Sequence, residues 1–299
     1  WDELKEALDE TKLDEAGMIK GTVTCDGKGI ANVVVTDGLR CVTTDKNGIY
    51  HLPNLGNTRF VYITTPAGYL TDCEQTIPRF YQEIDLSKTN EYNFRLKKNP
   101  KDDSKHLFVL EADVQAGLKE HWDLYAPIVD DYKQLIDQHT DRDVFGLNCG
   151  DIFWDTPATF FPPYIDKAKK LDIPIYRAIG NHDIDCNGAT HETSYRTFEG
   201  YFGPTHYSFN KGNAHYIVIN NNFYVGREYF YIGYVDETTF KWLEEDLSYV
   251  PKGTLVFFIT HIPTRITEQK RPFNYDQCRI CSPIIGRIRN PLSDGTSSF

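Results

Sequence analysis

Four apolar runs in the second part of the chain stop abruptly at polar side chains, and this recurrence constrains the fold more than any other feature. Ile175–Asp183 reads I-Y-R-A-I-G-N-H-D, an apolar stretch closed by Gly180 and followed at once by Asn181, His182 and Asp183. A short apolar run ended by glycine predicts a buried strand that delivers its C-terminal loop to a surface. Leu107-Phe-Val-Leu-Glu-Ala-Asp113-Val-Gln115 ends in a carboxylate, as does Leu147-Asn-Cys-Gly150-Asp151. Leu255-Val-Phe-Phe-Ile-Thr-His261 ends in an imidazole. In open α/β sheets ligands sit beyond the carboxyl ends of strands, so side chains far apart in sequence can converge there.

The segments between these runs are helical in pattern. Over Glu120–His139 the residues Trp122, Tyr125, Ile128, Val129, Tyr132, Leu135 and Ile136 recur every three to four positions and predict an amphipathic helix. Tyr164–Leu171 predicts a shorter one, and Asp236 is placed to cap a helix carrying Phe240, Leu243 and Leu247. With strand-like runs at Leu107–Leu110, Val144–Leu147, Ile173–Ile179, His215–Ile219 and Thr254–Ile259, the alternation requires crossovers and a parallel or mixed sheet.

The first hundred residues have a different texture. Residues 1–17 carry helical spacing and read as a tail. From Met18, short β-rich runs (Ile19–Cys25, Ala31–Thr36, Cys41–Thr44, Ile49–Leu52, Arg59–Thr64, Glu91–Leu96) alternate with turns such as Asp26-Gly27, Asp37-Gly38 and Asn47-Gly48. That spacing predicts an antiparallel β-sandwich over residues 18–97. Residues 98–105 are polar and charged and read as a linker. The sequences G-K-G-I-A-N-V-V-V-T-D-G, V-T-T-D-K-N-G-I-Y-H-L and T-P-A-G-Y resemble the carboxypeptidase regulatory-like, transthyretin-like β-sandwich. The resemblance implies an accessory module, often attached to exported enzymes.

Composition limits the partners. A formal net charge of −11 and a pI near 5.3 disfavour general binding to nucleic acid or anionic membrane. An anionic substrate remains open to the chain, because a bound cation reverses the local field. No apolar stretch reaches the roughly 20 residues that span a bilayer. Seven scattered cysteines do not form a dense disulfide framework, and Cys278-Arg279-Ile280-Cys281 has no second pair to complete a structural zinc site. The chain starts at Trp1, and the expectation is an exported, periplasmic or envelope-associated protein whose signal peptide has been removed.

Asp113, Asp151, Asn181 and His261 form a mixed oxygen and nitrogen donor set suited to manganese, iron or zinc. Residues 106–299 resemble the calcineurin-like metallophosphoesterases through Gly150-Asp151, Gly180-Asn181-His182-Asp183 and Thr260-His261. The resemblance implies a four-layer αββα sandwich holding two divalent metal ions and hydrolysing small phosphate mono- or diesters. It implies that Asp151 bridges the metals, that Asp113 and Gln115 serve the first, and that Asn181 and His261 serve the second. It also implies that His182 is the acid at the leaving oxygen, oriented by Asp183.

The sequence departs from the family pattern D-x-H, G-D-x-x-D/N, G-N-H-D/E, His, G-H-x-H at three places. Asp113-Val114-Gln115 has an amide where the pattern has an imidazole, Asp155 lies one residue late, and no G-H-x-H follows His261. The expectation is a catalytic domain incomplete at its C-terminal end, with two alternatives to an intact enzyme. One is a phosphoesterase-like protein that binds without turnover, the other an envelope glycan binder using the sandwich. Of the remaining histidines, His191 and His206 are candidates to line a substrate cleft, and Phe223-Tyr224 and Tyr229-Phe230-Tyr231 are candidate exposed-loop contacts.

Overall fold

The computed structural model describes residues 18–54, 58–154, 157–226 and 230–264. The tail 1–17, Asp155, Tyr229, the Cys278–Cys281 pair and the C-terminal end lie outside the described residues. The five described cysteines are all free, and no described helix is long and apolar enough to cross a membrane.

The N-terminal part is a β-sandwich. One sheet centres on Met18–Cys25, flanked by Ile49–Pro53 and Phe94–Lys98; the other runs Tyr81–Glu83, Phe60–Ile63, Val34–Thr36, Cys41–Thr43. Every second residue of the central strand, Ile19, Gly21 and Val23, is buried, and Ile19 and Val23 share a core with Leu52, Val35, Val61 and Leu96. The Asp45–Ile49 turn is built as its sequence predicts: the Asp45 carboxylate accepts the N–H groups of Asn47 and Ile49, both at 2.8 Å, while Gly48 takes φ +77°. One pairing departs from the antiparallel expectation. Val23 lies opposite Phe94 in a parallel ladder, because the last strand returns alongside the first instead of through a hairpin.

The second part has four layers. Leu107–Glu111, Val144–Asn148 and Ile175–Arg177 form a parallel sheet. Tyr207–Lys211, Ala214–Val218 and Leu255–Ile259 form a mixed one. Strand alternation explains the layering. Phe145, Leu147 and Tyr176 face Phe209, Tyr216, Val218 and Ile259 between the sheets, with the Tyr176 and Phe209 rings stacked at 3.6 Å. Their neighbours Val144 and Ile175 turn outward to Trp122, Tyr125 and Val129 of the helix His121–Asp137 and to Phe161 and Tyr164 of the helix Pro157–Ala168. On the far side Ile217 and Ile219 meet Trp242 and Leu243 of the helix Glu237–Ser248, which Asp236 caps as expected.

Three local expectations change. Ile128 and Leu135 are 48% and 47% exposed, so the apolar stripe of the first helix is narrower than its spacing suggests. The second helix begins well before Tyr164, despite Pro162 and Pro163, because Phe161 is anchored against Phe153 at 4.3 Å. Phe223 and Tyr224 belong to the hairpin Asn222–Gly226 with Phe230–Gly233, and Tyr224 is buried rather than exposed.

The sandwich and the α/β part share one core. Phe80 of the sandwich packs on Tyr207 at 4.6 Å and lies in the same apolar cluster as Phe145 and Tyr216. A buried polar bond crosses the junction, Thr64 Oγ1 meeting Ser208 Oγ at 2.8 Å, and it continues inside the α/β part, where Ser208 donates to Asp246 at 2.7 Å and Asp246 lies 2.8 Å from His215 Nε2. Arg177 sends Nη2 to Thr76 Oγ1 at 2.7 Å, and the Ile175 N–H donates to Thr76 O at 2.8 Å.

His191 and His206 line a cavity of about 220 Å³ at this junction. Burial lowers both rings below their ordinary value of 6.5, against the opposing pull of the Gly38 carbonyl on His206 and of Asp236 on both. A depressed folded-state value places the stabilising neutral form above pH 6.5, and that stability is lost as pH falls through and below it. The contribution of these two histidines to thermal stability is therefore expected to be flat from pH 8 to 7 and to fall below 6.5, read as the difference between the unsubstituted chain and a His206 variant. The acid limb should be shallower in His206→Gln, and an identical limb in that variant would count against this assignment.

Candidate metal centre

Loop geometry brings the strand ends together. Beyond the parallel strands the ladder continues, with the Asp113 N–H donating to Gly150 O and the Gln115 N–H to Asp151 O, both at 3.0 Å. Asp113, Gln115 and Asp151 hold left-handed backbone, with φ of +54°, +46° and +54°. That region costs a non-glycine residue on the order of 1 kcal/mol, and here the ladder bonds maintain it. The Asn181 loop closes against the Asp151 loop with no space to spare. A Cβ on Gly180 would stand 2.1 Å from both the backbone nitrogen and Oδ1 of Asp151. Gly180→Ala is expected to cost roughly 1–3 kcal/mol and to displace the Asp151 carboxylate, measured as a lower melting temperature together with weakened cation uptake.

Asp151 sits at the centre and is 2% exposed. Its Oδ1 accepts the His182 N–H at 2.9 Å, while Oδ2 accepts from Gln115 Nε2 at 3.1 Å and lies 3.4 Å from His261 Nε2. The Gln115 amide also reaches Asp113 Oδ1 at 3.1 Å. His261 Nε2 is 2.9 Å from Asn181 Oδ1, and its Nδ1 is 3.0 Å from the Cys149 carbonyl oxygen. Asp113, Asp151 and His261 thus offer ligand atoms that all lie within 4.8 Å of one another.

Electrostatics agree with that geometry. Burial pushes the Asp151 carboxyl up, but the His261 ring and the His182 N–H outweigh it and leave the group below the usual carboxylate range. Burial pulls His261 down, but its hydrogen bond and charge pairing with Asp151 outweigh it and raise the ring above its usual value. A position that stabilises a proton between a carboxylate and an imidazole also stabilises a metal cation in its place. The Cys149 carbonyl fixes Nδ1 as the protonated nitrogen of the neutral tautomer, leaving the Nε2 lone pair aimed at Asp151 and Asn181. The donor set of carboxylates, amide oxygens and one imidazole fits a divalent cation.

His182 lies at the rim. Its Nε2 is 4.0 Å from Asp151 Oδ2, and its ring stacks on Trp154 at 4.0 Å and 21°. Asp183 has a different part from the one its sequence position suggests. Its two oxygens accept the Ile152 N–H at 2.9 Å and the Gly180 N–H at 2.8 Å, so the carboxylate ties the two loops together instead of reaching for the His182 ring. Burial pushes this carboxyl up to about 7, against those two N–H groups.

Supporting residues come from places the sequence reading passed over. Asn148, fully buried, donates to Glu111 at 3.0 Å and accepts the Gly150 N–H at 2.8 Å, which orients the Asp151 turn from beneath. Asn222 donates to Ile179 O at 2.8 Å, and Asn221 exchanges bonds with Ile262, donating to its carbonyl at 2.6 Å. These two asparagines fix the Asn181 and His261 loops. The run Asn220-Asn221-Asn222 after a strand was the signal that could have found them. His191 and His206 line the junction cavity described above, and neither belongs to this cluster.

Two family models match the chain. One described as calcineurin-like phosphoesterase matches residues 107–286, and one described as the N terminal of calcineurin-like phosphoesterase matches residues 17–99. No curated protein matches the sequence.

Proposed function

The chain belongs to the calcineurin-like phosphoesterase family, whose members hydrolyse phosphoesters with divalent metal ions, and from that premise we propose that this cluster hydrolyses small-molecule phosphate mono- or diesters. The observation that carries the reading is the convergence of Asp113, Asp151 and His261 from three different strand ends. Asp113, Gln115 and Asp151 would hold one cation, and Asp151, Asn181 and His261 a second, with manganese, iron or zinc the fitting ions. Such cations supply charge to bind the phosphoryl oxygens and to acidify a water.

The protein's own groups then have distinct parts. Asp151, bound through Oδ1 to the His182 N–H, is held in one orientation between the two donor sets. Asn181 and His261 are mutually positioned, each further fixed by its loop. His182 carries a ring nitrogen near the cluster, and stacking on Trp154 holds the ring there. A proton on that ring can pass to the departing alkoxide oxygen. Asp183 and the asparagines act through backbone, keeping the loops in register.

The test compares an aryl and an alkyl phosphate ester with added manganese. His182→Ala should slow the alkyl ester, whose leaving oxygen needs a proton, at least about tenfold more than the p-nitrophenyl ester. Equal losses on both would remove His182 as the acid. Phosphate binding with no turnover on any ester or metal would favour a binding protein on the same scaffold.

A further inference from the structure

The junction cavity is lined from both parts of the chain, by Asp37 and Gly38 of the sandwich and by His191, Thr205, His206 and Asn220 of the α/β part. At about 220 Å³ it admits one small ring or a short chain, below the roughly 300–1,000 Å³ of sites for drug-sized ligands. Its polar groups are only partly used. Asp37 is 5% exposed, and its Oδ1 accepts the Leu39 and Arg40 N–H groups at 3.0 and 3.1 Å. Among the described residues its Oδ2 has no hydrogen-bond partner and the carboxylate has no ion pair. His191 Nδ1 accepts the Tyr224 N–H at 3.1 Å, so the ring proton sits on Nε2 as an unused donor. His206 donates from Nε2 to Gly38 O at 3.0 Å, which leaves Nδ1 as an unused acceptor. The buried Thr205 hydroxyl and the buried Asn220 amide nitrogen likewise have no partner among the described residues.

The charges around the cavity do not cancel. Arg59 and Arg196 both turn to Glu199, at 2.9 and 3.5 Å, and Arg59 also to Glu83 at 3.0 Å, so two cations meet two carboxylates. Asp236 is answered by the Thr238 and Thr239 N–H groups of the helix it caps. Asp37 has only its two backbone donors. Burial raises its carboxyl above the ordinary value, and those N–H groups with the nearby Arg40 charge do not offset the effect. A buried carboxylate without a counter-charge is costly, and a cation placed beside it offsets that cost.

We propose that this cavity binds a small hydroxylated primary amine, an amino alcohol or amino sugar, with its ammonium group on Asp37 and His206 and its hydroxyls on His191, Thr205 and Asn220. An ammonium group offers only donors, and Asp37 Oδ2 and His206 Nδ1 are acceptors. Hydroxyls donate and accept, which suits the His191 and Asn220 donors and the Thr205 hydroxyl. The carboxylates of Asp37 and Asp236 disfavour an anion, and a neutral sugar leaves Asp37 without a counter-charge. The site stands apart from the metal centre, whose ligand set includes none of these residues.

Isothermal titration of the full chain, near neutral pH and with EDTA present, compares glucosamine with N-acetylglucosamine and glucose, and ethanolamine with ethylene glycol. Each amine should bind once per chain, at least about tenfold tighter than its uncharged counterparts. Asp37→Asn keeps an oxygen for the Leu39 and Arg40 N–H groups and removes the charge. That variant should keep its melting temperature, bind the amines about tenfold more weakly and lose the preference for them. Equal affinity of the unsubstituted chain for charged and uncharged probes, binding of neither amine, or undiminished amine binding in Asp37→Asn overturns the proposal. The first two outcomes need no variant, so they decide the matter even where Asp37→Asn does not fold.

Discussion

Asp151→Asn is expected to leave the chain folded, to abolish tight cation uptake, and to lower phosphoester hydrolysis by about 10³-fold or more. The fold should survive because an asparagine oxygen can still accept the His182 N–H that Oδ1 accepts at 2.9 Å. Cation binding should not survive, for a reason of charge and of place. Asp151 meets both the Gln115 amide and the His261 ring through Oδ2, and it is 2% exposed, so water screens its field poorly. An amide there would remove the negative charge from the middle of the cluster and direct N–H groups at positions that a cation needs. Loss of a few kcal/mol of charge stabilisation corresponds to the stated factor. Circular dichroism, isothermal titration with manganese and hydrolysis of bis(p-nitrophenyl) phosphate make the measurement. A variant that keeps its structure and the unsubstituted rate would eliminate Asp151 from the centre, and with it the proposed function.

A chain that begins at residue 99 is expected not to fold into a soluble α/β domain. Phe80, Val35, Val61 and Ile63 of the sandwich belong to the same apolar cluster as Phe145, Tyr176, Tyr207 and Tyr216, so removing the sandwich would open the inter-sheet core to water. It would also remove Thr76, leaving Arg177, itself 2% exposed, without the oxygens that accept two of its guanidinium nitrogens. Arg177 would keep Ile175 O and the Tyr164 hydroxyl, but a buried guanidinium stripped of part of its acceptors is destabilising. Arg177 ends the strand that delivers Gly180, Asn181 and His182, so the damage would reach the candidate centre directly. The comparison is solubility and near-ultraviolet dichroism of residues 99–299 against the full chain, with the sandwich supplied in trans as rescue. A soluble, cooperatively unfolding 99–299 fragment with the full chain's melting temperature would show that the shared core is dispensable.

Asp113, Gln115, Asp151, Asn181 and His261 lie side by side, whereas other residues make contacts their sequence positions do not suggest. Asp183 was legible as a neighbour of His182, and its chemistry suggested orienting that ring. Its oxygens instead hold the Ile152 and Gly180 N–H groups, because the loop turns the carboxylate inward where two backbone donors converge. Trp154 was visible in the loop after Asp151, but nothing in its spacing showed that its ring would lie on His182 at 4.0 Å. Phe223 and Tyr224 read as loop aromatics and are hairpin residues, since pairing with Phe230–Gly233 depends on a partner segment that propensity does not name.

The sequence alone determined which segments become strands, and that Asp113, Asp151, Asn181 and His261 stand at their ends. Both follow from local rules: the period of the apolar residues, and the glycines that stop the runs at Gly150 and Gly180. Only the tertiary structure decided how those ends are held. The parallel ladder that forces Asp113, Gln115 and Asp151 into left-handed backbone, the asparagines beneath the loops, and the sandwich packed into the inter-sheet core all join residues distant in sequence. The physical reason is that a local pattern fixes which groups a segment offers, whereas their partners are chosen when the remaining segments close around them.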